Sequence, residues 1–296
     1  MTFRLDRRRF ISFATAATAT AATARLAMAL DADNPYRKNI GIQLYTLRDA
    51  IAEDADATLQ TVADTGYQQV EPYGFPNCDP IIEAAKKAGL PIHSSHFNSD
   101  PVITRDDAGG DDLKRTIEKA SEVGLKHLVI PYVGAEHRKT LDDYRRMAER
   151  CNRAAEKVAE AGMQLAYHNH AFEFEPLEDD RCGYDVFREE FADAMKFEVD
   201  VFWVQAGGVD PIELMADMKG RISQLHLKDL NRSIEIPAYD GMPKEGFEEL
   251  GDGVVDIEAI VDAASEAGVD HCHVEQDHSP HPIDSIAQSF RYLEKL

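Results

Sequence analysis

The chain is predicted to be a single (β/α)8 barrel, and three observations lead there. An amphipathic run ending in a small-residue, Gly-terminated phrase recurs along it, each time followed by a short apolar run. Eight such apolar runs are present, each followed by a helix candidate. No glycine-rich phosphate loop follows the first run, which disfavours the competing open, doubly wound sheet. Alternating β and α elements imply a parallel sheet, and eight repeats over a barrel-sized chain imply closure.

The elements follow in order. IGIQLY (Ile40–Tyr45) is the first strand candidate. VADTG (Val62–Gly66) ends a helix before YQQVEPY, and AAKKAG (Ala84–Gly89) ends the next before LPIHSSH. ASEVG (Ala120–Gly124) precedes LKHLVIPY, and AEAG (Ala159–Gly162) precedes MQLAYHNH. FEVDVFW follows the run Phe187–Ala194, and ISQLHLKD follows Gly220. ASEAG (Ala264–Gly268) precedes VDHCHVEQD, and Ile283–Leu296 is the closing helix. Glycine just past a helix end supplies the left-handed cap. Short apolar runs without alternation suit strands buried on both faces. The longest irregular stretch, Asn231–Asp252, is expected to lie over the barrel mouth.

Residues 1–29 stand apart. Arginines at positions 7–9, the Ala/Thr-rich run Ala14–Ala24 and the small-x-small motif Ala27-Met28-Ala29 read as a cleaved twin-arginine export signal. The expected product is residues 30–296, one domain delivered to the periplasm by the twin-arginine export machinery. The apolar run is too short and Thr-rich to span a bilayer. Of 296 residues, 32 are Lys or Arg and 54 Asp or Glu. Removing the signal takes five Arg and one Asp, which moves the formal charge from −22 to −26. So acidic a surface repels nucleic acid and anionic membranes. Cys78, Cys151, Cys182 and Cys272 form no CxxC, and ordinary thiols are expected. Oligomerisation stays open.

Barrel active sites lie at the C-terminal strand ends. Those positions carry Gln43-Leu44-Tyr45, Glu71-Pro72-Tyr73, His93 to His96, Pro131-Tyr132, His168-Asn169-His170, Asp200 to Trp203, His226 to Asp229, and Glu275 to His278. Histidines concentrate there, while the helices and N-terminal strand ends carry few. His168, Asp200, His226 and Glu275 would converge from four neighbouring strands. Two imidazoles and two carboxylates suit one divalent Mn, Co, Fe, Ni or Zn ion better than Mg or Ca.

With GIQLYTLRD, YHNHAFEF, FEVDVFW, LHLKD and HVEQD in one chain, the sequence resembles the xylose-isomerase-like TIM barrel superfamily. Within it the likeness is to the sugar phosphate isomerases/epimerases, and most to their exported members. The resemblance implies a metal-binding Glu, Asp, His and Glu on strands five to eight. Asp200, His226 and Glu275 match; strand five departs, with His168 at the first position and His170 and Glu173 as rivals. Related dehydratases place a histidine two residues past that ligand, which makes His170 an acid/base candidate.

A divalent ion open on one side could chelate a sugar's carbonyl and adjacent hydroxyl and favour loss of the neighbouring C–H proton. Glu71 and His170 are the candidate bases, with Lys228 steadying negative charge. Lys228 and Asp229 could instead pair with each other or with the next loop. Gln43, Tyr45, His96, Glu173 and Trp203 form the candidate substrate-binding set. The expected substrate is a non-phosphorylated saccharide or keto sugar, because no basic cluster stands at the strand ends and exported enzymes rarely meet sugar phosphates. Isomerase or epimerase is the first expectation, a lyase (dehydratase or 3-keto-glycoside-cleaving) the second, and a non-catalytic sugar-binding barrel the third. A nuclease of the same fold is disfavoured by the charge.

Overall fold

A computed structural model describes Asn34, Tyr36 and residues 39–269 and 271–296. The export segment expected at 1–29 lies outside the described residues. Eight parallel strands form the barrel: β1 (Ile40–Gln43), β2 (Gln69–Glu71), β3 (Ser94–His96), β4 (His127–Ile130), β5 (Gln164–His168), β6 (Met195–Asp200), β7 (Ile222–Leu227) and β10 (Cys272–Val274). Their order is β2-β1-β10-β7-β6-β5-β4-β3. Between the end strands, isolated parallel bridges Val70↔Ile92 and Phe75↔Phe97 carry the ring round. The Asn231–Asp252 stretch contributes one strand of a short antiparallel ladder, in which β9 (Phe247–Glu248) pairs with β8 (Asp229–Leu230) just before the stretch.

Helices cover the outside. They are α1 (Arg48–Glu53), α2 (Ala55–Thr65), α3 (Asp79–Ala88), α4 (Asp100–Thr104), α5 (Gly110–Val123) and α6 (Leu141–Glu160), then α7 (Gly183–Glu190), α8 (Val201–Ala206), α9 (Pro211–Asp217), α10 (Ile257–Glu266) and α11 (Pro282–Lys295). The five phrase-ending glycines all have positive φ, as a left-handed helix stop requires. Leu, Ile, Val and Phe from strands and helices fill the layer between sheet and helices. No described helix is long and apolar enough to cross a membrane. All four cysteines are free thiols.

The barrel interior differs from the branched apolar filling usual for this architecture. Gln43, Glu71, Ser94, His168, Glu198, Asp200, Gln224, His226 and His273 are all buried there or at its upper rim. Parallel register sets their neighbours: Asp200 beside His226, Glu198 beside Gln224, and His226 beside His273.

One strand-end expectation is corrected. His93 precedes β3 and belongs to the opposite, N-terminal rim, where its ring stacks on His271 at 3.6 Å and lies 4.8 Å from His127. The histidines therefore gather at both ends of the barrel. Within LPIHSSH the strand covers only Ser94–His96, and the earlier half is its entry, joined to β2 by the isolated bridge at Ile92.

Strand β1 depends on a residue without a side chain. A Cβ on Gly41 would fall 2.5 Å from the His273 ring, 2.7 Å from Gln69 Cγ and 2.9 Å from the Cys272 carbonyl. Neither the buried ring nor the backbone of β10 has room to retreat. Gly41→Ala is therefore expected to cost about 1–3 kcal/mol, on the order of 5 °C in Tm. A melt unchanged from wild type would contradict the packing of this seam.

Candidate metal centre and substrate cavity

Four buried side chains from consecutive strands meet at the C-terminal end of the barrel: His168, Asp200, His226 and Glu275. Local structure aims each one. Asp200 ends β6 and caps α8, its Oδ1 accepting the Trp203 N–H at 3.0 Å, which satisfies one free helix donor. Its Oδ2 is left to face His168 Nε2 at 3.2 Å. Asn169 extends the pairing of β5 and β6 with its side chain. It accepts from Asp200 N–H at 3.0 Å and donates to the Asp200 carbonyl at 3.2 Å.

His226 presents Nδ1 to Glu275 Oε2 at 3.0 Å and to Asp200 Oδ2 at 3.9 Å. Its other nitrogen, Nε2, faces Glu71 Oε1 at 2.8 Å and Glu198 Oε2 at 3.2 Å. A metal-binding imidazole braced by carboxylates on its far nitrogen is the usual outer-shell arrangement. Donors about 2.1 Å from a common ion stand about 3.0–3.4 Å from one another. The spacings of 3.0 and 3.2 Å fall in that range and 3.9 Å lies somewhat outside it. The donor set fits a divalent ion without rearrangement of the strands.

Electrostatics fit as well. Glu71, Glu198, Asp200, Glu275 and Asp277 bring five carboxylates into this region, and Lys228 is the one lysine among them. Its Nζ lies 3.2 Å from Asp200, 2.7 Å from Glu275 and 3.1 Å from Asp277. Burial opposes the ammonium, but the three carboxylates outweigh it and raise Lys228 well above the ordinary lysine value. Burial lifts Asp277 to about 6 against the pull of Lys228. An ion bound to Asp200 and Glu275 would compete with Lys228 for them, and Asp277 offers the ammonium a carboxylate outside the donor set.

Above the four side chains opens a cavity of about 550 Å³, a size suited to a small molecule. His96, His168, His170, Trp203, Lys228 and Glu275 form its inner wall. Tyr45, Tyr73, Tyr132 and Phe97 stand farther out, joined by Met242 and Phe247 from the 231–252 stretch. That stretch thus covers part of the mouth, as its position in the sequence suggested. Among the described wall residues Lys228 is the only Lys or Arg. His170 lies against Trp203, Tyr132 and Phe172 at ring distances of 5.1, 5.3 and 5.3 Å. Burial, then His168 and Lys228, hold it well below the usual histidine value. It is a neutral imidazole whose Nδ1 has no protein partner.

Three residues expected to meet substrate are kept from the cavity wall. Glu71 is fully buried below it: Gln43 and His226 bind one oxygen at 2.9 and 2.8 Å, and Ser94 and Gln224 bind the other. A carboxylate so occupied, behind two imidazoles, has no path to a substrate proton. Gln43 divides its amide between Glu71 and the Tyr45 N–H, so it braces the floor. Glu173 turns outward, accepting from Tyr167 OH at 2.6 Å and His170 N–H at 2.8 Å. It orients the turn that carries His170, which also removes it as a rival strand-five ligand. Asp229 does not pair with Lys228; it accepts the backbone N–H groups of Gly251, Gly253 and Val255.

Sequence reasoning passed over Glu198. It is fully buried, 2.7 Å from His96 Nε2 and 3.2 Å from His226 Nε2. Its signal was in FEVD: residues two apart on a strand share a face, so Glu198 enters the barrel wherever Asp200 does.

A family profile described as Xylose isomerase-like TIM barrel matches residues 59–296. Among solved structures, the chain is similar to a sugar phosphate isomerase/epimerase from Parabacteroides distasonis. Identity is 24%, the TM-score 0.74, and coverage 87% of this chain and 94% of that one. It is also similar to a xylose isomerase-like TIM barrel protein from Mycobacterium smegmatis in complex with magnesium. There identity is 16%, the TM-score 0.62, and coverage 86% and 95%. Both likenesses concern the fold. An inosose dehydratase from Lacticaseibacillus casei is 25% identical over 168 residues, 52% of this chain and 55% of that protein. The chain thus spans about half the length of that relative.

Two outcomes follow from this geometry. Chelator-stripped protein is expected to melt several degrees below protein resupplied with Mn2+ or Zn2+, since an ion bound only by the native state stabilises it by mass action. Asp200→Asn should reduce the difference and Glu173→Gln should keep it in full; equal melts for stripped and resupplied wild type would count against the centre. Burial raises Glu173 to about 8 against its hydrogen bonds from Tyr167 and His170. Between pH 5 and 8 the unfolded chain ionises this group while the native state does not, so wild type loses stability as pH rises. Denaturation of wild type and Glu173→Gln at pH 5 and pH 8 should show the variant gaining relative to wild type at the higher pH.

Proposed function

The chain belongs to the xylose isomerase-like TIM barrel family, and from that premise we propose that it is a divalent-metal-dependent enzyme acting on a non-phosphorylated saccharide or keto sugar. The reaction begins with removal of the proton next to a carbonyl and ends with its return, as an isomerisation or epimerisation. One observation carries this reading above the others: a neutral, cavity-facing His170 stands beside a donor set that fits a dication.

His168, Asp200, His226 and Glu275 would hold the ion. When bound, it supplies Lewis acidity toward the carbonyl and adjacent hydroxyl of the substrate. His170 would accept the C–H proton: it stands on the cavity wall with Nδ1 free of any protein partner. Lys228 places positive charge where the former carbonyl oxygen becomes negative. Trp203 and Phe247 shield this end of the cavity from water and offer flat faces to a sugar ring. Lys228 is the only Lys or Arg among the described wall residues, so the cavity offers no basic cluster to clamp a phosphate. The twin-arginine reading of residues 1–29 agrees, since it assigns the enzyme to the periplasm, away from cytoplasmic sugar phosphates.

Elimination is the second reading, favoured by Asp277. It lines the cavity with Lys228 and follows β10, three positions round the barrel from the strand that bears His170. A proton taken by His170 and a leaving group protonated by Asp277 would make the enzyme a lyase, in keeping with the partial similarity to an inosose dehydratase.

Metal-loaded protein incubated in D2O with free ketoses, inososes and 3-keto-glycosides, followed by NMR, is the test. Deuterium entering next to the carbonyl with an isomer formed supports the first reading, and loss of water or of an aglycone supports the second. His170→Asn should lower kcat by about 10²–10⁴-fold with metal content unchanged. Full activity in that variant, or no exchange with any of these substrates in loaded protein, would overturn the proposal.

A further inference from the structure

We propose that a second divalent cation binds one layer deeper in the barrel, among Glu71, His96, Glu198 and His226. Four donor atoms there close a cycle in which nitrogen and oxygen alternate. His96 Nε2 lies 2.7 Å from Glu198 Oε2, which lies 3.2 Å from His226 Nε2. That nitrogen lies 2.8 Å from Glu71 Oε1, which returns to His96 Nε2 at 3.3 Å. The 3.2 and 3.3 Å sides match the spacing of donors around a single ion, and the 2.7 and 2.8 Å sides are shorter by a few tenths of an ångström.

The surroundings favour an ion independently of that cycle. Gln224 gives its amide N–H2 to both glutamates, which leaves its fully buried Oε1 without a donor. His273, also fully buried, has neither ring nitrogen paired and lies 4.0 Å from Glu71. Unsatisfied lone pairs beside two buried carboxylates are costly, and a cation lowers that cost where a further hydrogen-bond acceptor would not. Two imidazoles with two carboxylates select a borderline transition ion such as Zn2+ or Co2+ over Mg2+ or Ca2+.

His226 joins the two positions. Its Nδ1 faces the Asp200–Glu275 pair and its Nε2 faces the Glu71–Glu198 pair, so the two ions would sit on either side of one ring, which on binding the second ion would release its remaining N–H proton and bridge as an imidazolate. The competing occupant of the lower layer is protons, with both imidazoles charged and the four groups forming a closed ion quartet.

Stoichiometry separates the two. Chelator-stripped full-length protein is titrated with Zn2+ or Co2+ alone, and bound ion is counted by elemental analysis after gel filtration. Wild type is expected to hold two equivalents. Asp200→Asn should hold one, retained in the lower site, and Glu198→Gln one, retained in the upper; His96→Asn repeats the second result with a different donor removed. Should the lower-layer variants fail to fold, a magnetically coupled Co2+ or Mn2+ pair in the EPR spectrum of doubly loaded wild type decides the matter. Saturation at one equivalent, lost in Asp200→Asn and kept in Glu198→Gln, overturns the second site and leaves the functional reading intact. No bound ion at all overturns both.

Discussion

The constraint on which the rest depends is the burial of carboxylates inside the barrel. Glu71, Glu198 and Asp200 are wholly inaccessible and Glu275 nearly so. An unpaired ionised carboxylate there would cost several kcal/mol, so each must be met by donors or cations. Much of the inner architecture answers that requirement. Gln43, Ser94 and Gln224 donate to Glu71; His96 and His226 lie between Glu71 and Glu198; Lys228 lies among Asp200, Glu275 and Asp277. A barrel filled with valine and isoleucine would be simpler to stabilise, but it could not hold a dication.

The same constraint explains what could be read from the amino acids. Strands and helices were legible because their signals are local: Gly-terminated helices and short apolar runs do not depend on distant partners. The four upper donors were legible because strand ends in a closed barrel must converge. The second layer was not. Glu198 and Gln224 pair two residues below Asp200 and His226 in the same register, and no local pattern reports that His96 and Glu71 meet them from other strands. Glu71 was placed at the right strand end, yet its role turned on His226 and His96 arriving above it from other strands. Glu173 shows a different limit. In AFEF the chain turns into a short 3-10 helix, which carries the carboxylate out of the barrel toward Tyr167.

Charge also bears on the kind of substrate. An acidic chain with a single cationic side chain on the cavity wall, itself held by three carboxylates, has little to offer a phosphate. Its aromatic wall offers apolar faces instead. Tyr45 and Tyr132 remain well exposed at the mouth, with Tyr45 braced by Arg48, whose guanidinium lies 4.3 Å from the ring centre and also binds the Asp277 carbonyl. Arg48 thereby ties the mouth to the strand end that carries Asp277 and Glu275.

Histidine at position 168, where the family resemblance implies a glutamate, follows from the same bookkeeping of charge. A carboxylate there would stand beside Glu198, its register partner on β6, and would add a further negative charge to a region that already holds Asp200 and Glu275. A neutral imidazole keeps a nitrogen donor for the ion and adds no repulsion; burial and the neighbouring His226 hold His168 below its ordinary basicity even with Asp200 beside it. Asp200 and Glu275 then balance a dication on their own, and Lys228 can answer Asp277. The departure at strand five and the extra glutamates below are thus two sides of one arrangement: negative charge is moved from the rim of the barrel into its interior, where His96 and His226 are placed to meet it.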